Sequence, residues 1–231
     1  QFIVDVANRY VDNWLKYEIS LFEIEVFISI LYFIYQGVDY AIYEVGLGGE
    51  LDATNIILPM VCVNTNIGLD HMDYLGDSYE SIARAKAGII KDHVDFITGE
   101  HKQECVDIFR DTCEKRHSHL IRLDRIHDLQ DGENVKYTYK DYNIVLNTPA
   151  LYQIENSALA LETLLYLKKH HFIELDESSI VEGLFEAKWA GRFEIISEKP
   201  LIILDGAHNR EGVDELYRSA RKLHNLKIIF S

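Results

Sequence analysis

The chain has 231 residues, 48% of them apolar, which is enough to bury a core and excludes an intrinsically disordered protein. Its formal net charge of −15 argues against nucleic acid as a partner, because proteins that bind phosphate backbones carry a basic surface. Three cysteines without paired spacing favour a reduced, cytoplasmic setting, and no apolar run approaches the roughly 20 residues of a membrane span.

The amino-terminal part predicts alternating helices and strands. Apolar residues recur at helical spacing over Glu23–Tyr35, and Gly37 ends that helix. The β-branched and aromatic run Val38–Val45 predicts a buried strand that enters a tight glycine turn. Two more strand–helix pairs follow, namely Val61–Ile67 with Ser78–Ile90 and Val94–Thr98 with Lys102–Arg116. This alternation indicates βαβ units and a mostly parallel sheet.

The pattern changes after Asn134. Apolar residues that flank Lys140 and Asp141 predict an antiparallel hairpin. Two helices are predicted next, over Asn156–His170 and Ser178–Lys188, and Trp189–Arg192 is predicted to be a hinge. A second α/β pattern follows, with strand Leu201–Leu204, helix Glu211–Leu223 and strand Lys227–Ser231. We therefore expect one domain over 1–190 and the beginning of a second over 191–231. Because the sequence opens on Gln1 and stops on a predicted strand, we also expect a fragment of a longer protein.

Polar side chains follow the predicted strands, where open α/β sheets bind their ligands. Glu44 precedes the glycine turn and could be a Mg²⁺ ligand or could accept hydrogen bonds from the loop amides. Asp70 and His71 follow the next strand, where His71 could complete a divalent site or be structural. Lys86 lies mid-helix among small residues, so it is either a reactive amine with a lowered pKa or a solvated lysine.

The second α/β pattern contains further candidate ligand-binding residues. Asp205–Asn209 follows a strand, and Arg192 follows the hinge, where its guanidinium could bind phosphate or carboxylate. The alternatives are a helix cap for Asn209 and a surface charge for Arg192. The sequence contains no G-x-x-x-x-G-K-[ST] loop, so a nucleotide site would need phosphate-binding residues from elsewhere.

These segments resemble the signature of the folylpolyglutamate synthase and dihydrofolate synthase family, within the Mur ligase superfamily. The resemblance is carried by EVGLGGELDATN at 44–55, IGLDH at 67–71, KAGIIK at 86–91, GRFE at 191–194 and DGAHN at 205–209. It implies an α/β fold with a mostly parallel sheet flanked by helices, as in the central ATP-binding domain of Mur ligases. A small antiparallel portion and the start of a second, Rossmann-like glutamate-ligase domain would complete this fold.

The resemblance also implies a role for each matched residue. Glu44 and His71 would bind Mg²⁺, and Lys86 would be carried as a carbamate. Asp52 and Ala53 would face the pterin. The remaining residues would contact ATP, with Asn156 at the adenine and Arg192, Asp205 and His208 at the phosphates or ribose. Lys86, His71 and Arg192 would be the catalytic group.

The implied activity is ATP-dependent ligation of L-glutamate to tetrahydrofolate, dihydropteroate or both, through an acyl phosphate. The partners would be these small molecules alone, bound by a monomer that associates with neither nucleic acid nor membrane. A Mur-type ligase acting on a cell-wall precursor and a non-catalytic remnant are the alternatives. Four residues depart from the family pattern: Glu50, Ala85, Tyr152 and Arg210. Without a phosphate-binding loop, the 231-residue chain alone is not expected to turn over.

Overall fold

The computed structural model describes residues 1–229 and begins with two packed helices, α1 (Phe2–Lys16) and α2 (Leu21–Gln36). Helix α2 starts in a capping box between Ser20 and Glu23 and ends at Gly37, whose φ of 63° is left-handed. The predicted helix over Glu23–Tyr35 is therefore confirmed. Helix α1 is not predicted from the sequence, and its aromatic side chains pack against those of α2.

The prediction of a strand over Val38–Val45 is wrong. No strand among residues 1–229 pairs with this segment, and Ile42 is 95% exposed. Strand structure requires a neighbouring backbone to satisfy the ladder of hydrogen bonds, whatever the β propensity of the side chains. Glu44 is consequently exposed and does not lie at the end of a sheet strand.

A parallel sheet forms the centre of the amino-terminal part, as predicted. Its strands are β1 (Cys62–Asn64), β2 (Phe96–Thr98) and β3 (Leu120–Arg122), paired in that order. The connections carry α3 (Met72–Leu75), α4 (Tyr79–Ala87) and α5 (Gln103–Lys115). Buried apolar side chains from the sheet and helices form one core. Strand β3 is not predicted, and the two predicted strands are shorter than expected because their flanking residues form loops.

A second, antiparallel sheet confirms the predicted hairpin. It contains β4 (His127–Gln130), β5 (Val135–Tyr139) and β6 (Tyr142–Leu146), and Lys140 turns the hairpin with a φ of 51°. Helices α6 (Gln153–Lys169) and α7 (Glu177–Glu186) follow, close to the predicted bounds. One face of α6 packs on this sheet and another reaches Ile97 of the parallel sheet, so α6 connects the two cores.

The segment after residue 190 contains β7 (Glu194–Glu198), β8 (Leu201–Leu204) and α8 (Arg210–Ala220). Strand β8 is confirmed, but it pairs antiparallel with β7, which is not predicted. Of the predicted strand Lys227–Ser231, residues 227–229 form no strand, and the other two lie outside the described residues. Over residues 1–229, no helix combines the length and apolar character that a membrane crossing requires.

Candidate functional site

A cleft of about 750 Å³ lies between the amino-terminal part of the chain and the segment after residue 190. Its walls come from the glycine loop at 46–48, the loop after β1, helix α4, the start of α6 and the 205–212 segment. Six of the nine predicted site residues line it: His71, Lys86, Asn156, Arg192, Asp205 and His208. Residues that are far apart in the sequence thus share one site.

Three predicted site residues do not line this cleft. Glu44 is exposed and lines a separate, shallower depression beside Tyr43. Asp52 caps a short 3-10 helix, Ala53–Ile56, which begins with the predicted Ala53. Among residues 1–229, no three His, Cys, Asp or Glu side chains are grouped as a metal site. A metal shared by Glu44 and His71 therefore stays a prediction.

Asp52 holds the glycine loop in place. Its Oδ2 accepts hydrogen bonds from the backbone N–H groups of Gly46 (3.0 Å) and Leu47 (2.9 Å), and its Oδ1 accepts two from Thr54. Burial raises the pKa of Asp52, but the hydrogen bonds from Thr54, Leu47 and Gly46 outweigh it and leave the pKa lowered. The carboxylate orders the loop that forms one wall of the cleft.

The loop after β1 brings Asp70 and His71 to the cleft. His71 is in the left-handed region, with a φ of 52°, at the start of α3. Asp70 accepts a hydrogen bond from the His71 N–H at 2.8 Å and another from the Asn209 side chain at 2.8 Å. The hydrogen bond from Asn209 is the main cause of the lowered pKa of Asp70, so this carboxylate is ionised at neutral pH.

Lys86 lies in the last turn of α4, half-buried at the cleft wall. Burial lowers the pKa of Lys86, while the nearby Asp70 carboxylate opposes that shift. The predicted direction is therefore confirmed. A lower pKa raises the fraction of neutral amine, which is the form that can act as a nucleophile.

The carboxylate of Asp205 is occupied by hydrogen bonds within the protein. Its Oδ2 accepts from the Tyr152 hydroxyl and from the Phe193 N–H, both at 2.8 Å, and its Oδ1 accepts from the Ala207 N–H at 2.8 Å. Burial raises the pKa of Tyr152, so its hydroxyl stays a donor. Next to this turn, any side chain at Gly206 would collide with the Arg192 guanidinium. Asp205 therefore shapes the wall on which Arg192 rests.

Further hydrogen bonds join the two sides of the cleft. Besides the Asp70–Asn209 pair, Glu211 Oε1 accepts from the Leu69 N–H at 3.2 Å, and the Leu151 N–H donates to Ser219 at 2.9 Å. The contribution of Glu211 is not predicted. An acidic residue in the first turn of a helix is already explained by the helix dipole, so its sequence position carries no sign of this long-range contact.

Over residues 1–229, the cleft presents an unpaired carboxylate oxygen together with the basic side chains of Arg192 and His208. Glu211 Oε2 is buried and has no hydrogen-bond partner among the described residues. A carboxylate oxygen is a ligand type that divalent cations accept, but the described residues group no three such side chains around it. Arg192 and His208 supply the donors that suit phosphate oxygens.

The family model of the Mur ligase middle domain matches residues 18–164. The chain therefore belongs to the Mur ligase family, in agreement with its parallel sheet and its cleft. Within that family, it is similar to a dihydrofolate synthase/folylpolyglutamate synthase of Bacillus subtilis, at 33% identity over 226 residues. That alignment covers 91% of this chain and 52% of the relative. The chain spans about half the length of the curated relatives it matches.

Solved structures show the same likeness. An FPGS–AMPPCP–folate complex superimposes with a TM-score of 0.88 at 30% identity, over 98% of this chain and 58% of that one. A bifunctional folylpolyglutamate synthase/dihydrofolate synthase from Yersinia pestis, complexed with AMPPNP and a Mn ion, gives a TM-score of 0.74 at 33% identity, over 88% and 49%. The predicted fold class, with parallel and antiparallel sheets, is confirmed by these comparisons and by the strand pairing.

Proposed function

We propose that the protein containing this chain is an ATP-dependent amide ligase that joins L-glutamate to tetrahydrofolate, dihydropteroate or both. The observation that carries this proposal is the convergence of Lys86, His71, Asn156, Arg192 and His208 on one cleft. The named relatives support the choice of substrate class, since one of the similar structures holds an ATP analogue together with folate.

The chemistry would proceed in two steps. The γ-phosphoryl group passes from ATP to a carboxylate oxygen of the pteroyl substrate and leaves ADP. The glutamate amine then attacks the acyl carbon, loses a proton and expels phosphate, which keeps one oxygen of the carboxylate. Because phosphoryl transfer depends on positioning and on charge neutralisation, Arg192 and His208 would bind the phosphate oxygens. Asn156, at the start of α6, would contact the adenine.

We assign Mg²⁺ as the metal, with Glu44 and His71 as its ligands. When bound, it would neutralise phosphate charge and orient the nucleotide. His71 lies in the cleft, and Glu44 lies two residues before Gly46, which lines the same cleft. The exposed segment that carries Glu44 would have to move toward His71 to complete this pair.

We assign a carbamate to Lys86. The ammonium would first lose a proton, and the neutral amine would then attack carbon dioxide and lose a second proton, so that a cation becomes a carbamate anion beside the metal position. Protein supplied with carbon-13 bicarbonate is expected to show a carbamate carbon resonance that disappears in Lys86→Arg. The same resonance in both proteins would exclude Lys86 as the modified residue. Lys91→Arg is the matched control, because Lys91 donates a hydrogen bond to Asn55 O outside the cleft.

We further propose that residues 1–190 form the ATP- and metal-binding domain and that 191–231 begin a glutamate-ligase domain. The protein would act as a cytoplasmic monomer on small molecules. A reducing setting is consistent with three buried free thiols, since burial raises the pKa of Cys62 and Cys105 to about 11 and that of Cys113 to about 12.

The test is incorporation of labelled glutamate by the longest polypeptide that contains this chain, with ATP and Mg²⁺. Dihydropteroate, tetrahydrofolate and a cell-wall precursor are offered in parallel. Glutamate joined to a pteroyl substrate, with one ADP for each amide, is the expected result. Ligation only to the cell-wall precursor would move the function to another Mur-type ligase. No product from any substrate would favour a binding remnant.

A further inference from the structure

Glu100 is a buried carboxylate that the proposed chemistry does not use. It lies two residues after the end of β2 and is only 2% exposed. Its Oε2 accepts a hydrogen bond from the Ile67 N–H at 2.5 Å, and its Oε1 accepts from the N–H groups of His101 (2.8 Å) and Lys102 (2.7 Å). A buried charge persists only where such bonds replace its hydration, so this placement is specific.

Lys102 completes the same contact from the other side. Its Nζ donates to the carbonyl oxygen of Ile67 at 2.7 Å and lies 3.5 Å from Glu100 Oε1. The ammonium also lies 4.7 Å from the centre of the Tyr79 ring, which limits its freedom. Two side chains of opposite charge therefore bind both backbone groups of Ile67.

The sequence around Gly99 makes this contact possible. A Cβ atom at Gly99 would lie 2.7 Å from the carbonyl oxygen of Thr65, so only glycine lets the two loops approach this closely. The Gly99 N–H donates to Asn64 O at 3.1 Å, and the Glu100 N–H donates to the Thr98 hydroxyl at 3.1 Å. Glu100 is thereby fixed at the carboxyl end of β1.

The loop that Ile67 begins requires such support. Four residues later, His71 adopts a left-handed conformation, which costs free energy in a residue other than glycine and persists only when surrounding contacts impose it. The far side of the loop is held by Glu211 and Asn209, which belong to the other wall of the cleft. Glu100 and Lys102 hold the near side.

We propose that Glu100 and Lys102 are positioning residues that fix the backbone of Ile67 and thereby set Asp70 and His71 in the cleft. They would act through the loop and not by contact with substrate. The catalytic part of this proposal rests on the proposed function, whereas its structural part does not.

Glu100→Gln tests the hydrogen bond from the Ile67 N–H separately from those of His101 and Lys102. The amide oxygen of glutamine can still accept from His101 and Lys102, but its NH₂ group would face the Ile67 N–H, donor against donor. Glu104→Gln is the matched control, because Glu104 is exposed and lies in the first turn of α5. Lys102→Met removes the hydrogen bond from Lys102 Nζ to the carbonyl oxygen of Ile67, and Lys102→Arg tests whether another cation restores it.

Hydrogen exchange followed by mass spectrometry measures the structural part on this chain itself. In Glu100→Gln, a peptide spanning 66–71 is expected to exchange at least tenfold faster, while a peptide from the middle of α5 stays protected. Glu104→Gln should match the parent in both peptides. Unchanged exchange at 66–71 in both Glu100→Gln and Lys102→Met would overturn the proposal. So would equal acceleration across the whole chain, which would indicate general unfolding.

Kinetics on the longest polypeptide measure the catalytic part. Residues that orient a site through its ligands typically contribute 10–100-fold, so kcat of Glu100→Gln is expected to fall by about that factor. The KM for glutamate should stay within about twofold, and Lys102→Arg should recover most of the activity that Lys102→Met loses. Unchanged kcat despite faster exchange would overturn the positioning role. If the parent itself ligates no glutamate, the proposed function fails and the exchange result alone decides.

Discussion

At the scale of single residues, the functional loops are held by carboxylates that accept backbone hydrogen bonds. Asp52 binds the glycine loop, Asp205 binds the 205–207 turn, and Glu100 binds the loop after β1. A carboxylate has two oxygens with several acceptor positions, so one side chain can fix several N–H groups at once. These carboxylates fix backbone segments in and next to the walls of the cleft.

We expect Asp52→Asn to lower the free energy of unfolding by about 1–3 kcal/mol at pH 7, because charge-assisted hydrogen bonds are replaced by weaker ones or lost. The folded-state pKa of Asp52 is lowered, so its contribution is present above the ordinary aspartate pKa. It is lost as the pH falls through the lowered value. Urea denaturation of both proteins between pH 7 and pH 3 measures this difference.

The difference between the parent and Asp52→Asn should therefore shrink on acidification. Asp141→Asn is the control, because it removes the same charge from a residue that is exposed in the turn between β5 and β6. If the loss of unfolding free energy in Asp52→Asn does not change with pH, packing and not ionisation sets the contribution of Asp52 to stability.

The cleft positions of His71 and Asp205 could be predicted because each residue follows a strand, β1 or β8. The lowered pKa of Lys86 could be predicted because its small neighbours in α4 leave it partly buried. Glu100 and Glu211 could not be predicted, because each looks like an ordinary carboxylate at a strand or helix end. Their partners, Ile67 and Leu69, are brought close only by the tertiary fold.

At the scale of elements, the close contact between the glycine loop and the end of α4 sets the cleft wall. A Cβ atom at Gly49 would lie 2.8 Å from the carbonyl oxygen of Ala85, and one at Gly88 would collide with the backbone of Glu50. The Asn55 side chain bridges the same two elements by donating to the carbonyl oxygens of Glu50 (3.0 Å) and Gly88 (3.1 Å). Lys86 is positioned by this contact.

We expect Gly88→Ala to destabilise the protein by about 1–3 kcal/mol, since the added methyl group forces the loop and helix apart. Gly183→Ala is the opposite control. It adds the same atom inside α7, where nothing lies within 4 Å, and should stabilise by about 0.5–1 kcal/mol. Chemical denaturation of both variants checks the pair. Equal effects would contradict a steric origin for the loss in Gly88→Ala.

Helices were easier to predict than strands for a physical reason. Helix signals are local, as the capping residue Ser78 and the terminal Gly37 show, because every helical hydrogen bond lies within four residues. Strands depend on distant partners. Val38–Val45 has the composition of a strand but no partner among residues 1–229, whereas β3 and β7 have modest signals and pair well.

At the scale of the whole molecule, hydrogen bonds join the two walls of the cleft. Tyr152 lies at the start of α6 on one wall, and its hydroxyl donates to Asp205 on the other wall. The Asn209 side chain donates in the opposite direction, to Asp70. The chain passes between the walls near Gly191, whose φ of 71° is left-handed. A small number of polar contacts therefore holds the two walls against each other.

We expect Tyr152→Phe to weaken the contact between the two walls of the cleft, with little effect on the buried cores. The α8 peptide should exchange hydrogen faster by about three- to tenfold, which corresponds to the net value of one hydrogen bond. Peptides from the core of the parallel sheet should not change. Tyr142→Phe is the control, since it alters a tyrosine in β6, away from the cleft lining. Unchanged exchange in α8 would show that the Tyr152–Asp205 hydrogen bond does not hold α8 in place.

The most direct test of acyl-phosphate ligation follows oxygen-18 from the accepting carboxylate of the pteroyl substrate. The longest polypeptide that contains this chain is given this substrate with ATP, Mg²⁺ and glutamate, and the released phosphate is analysed by mass spectrometry. Each phosphate is expected to carry one labelled oxygen, because the phosphoryl group departs with an oxygen of the carboxylate. Unlabelled phosphate alongside amide product, or label appearing in AMP, would contradict this mechanism.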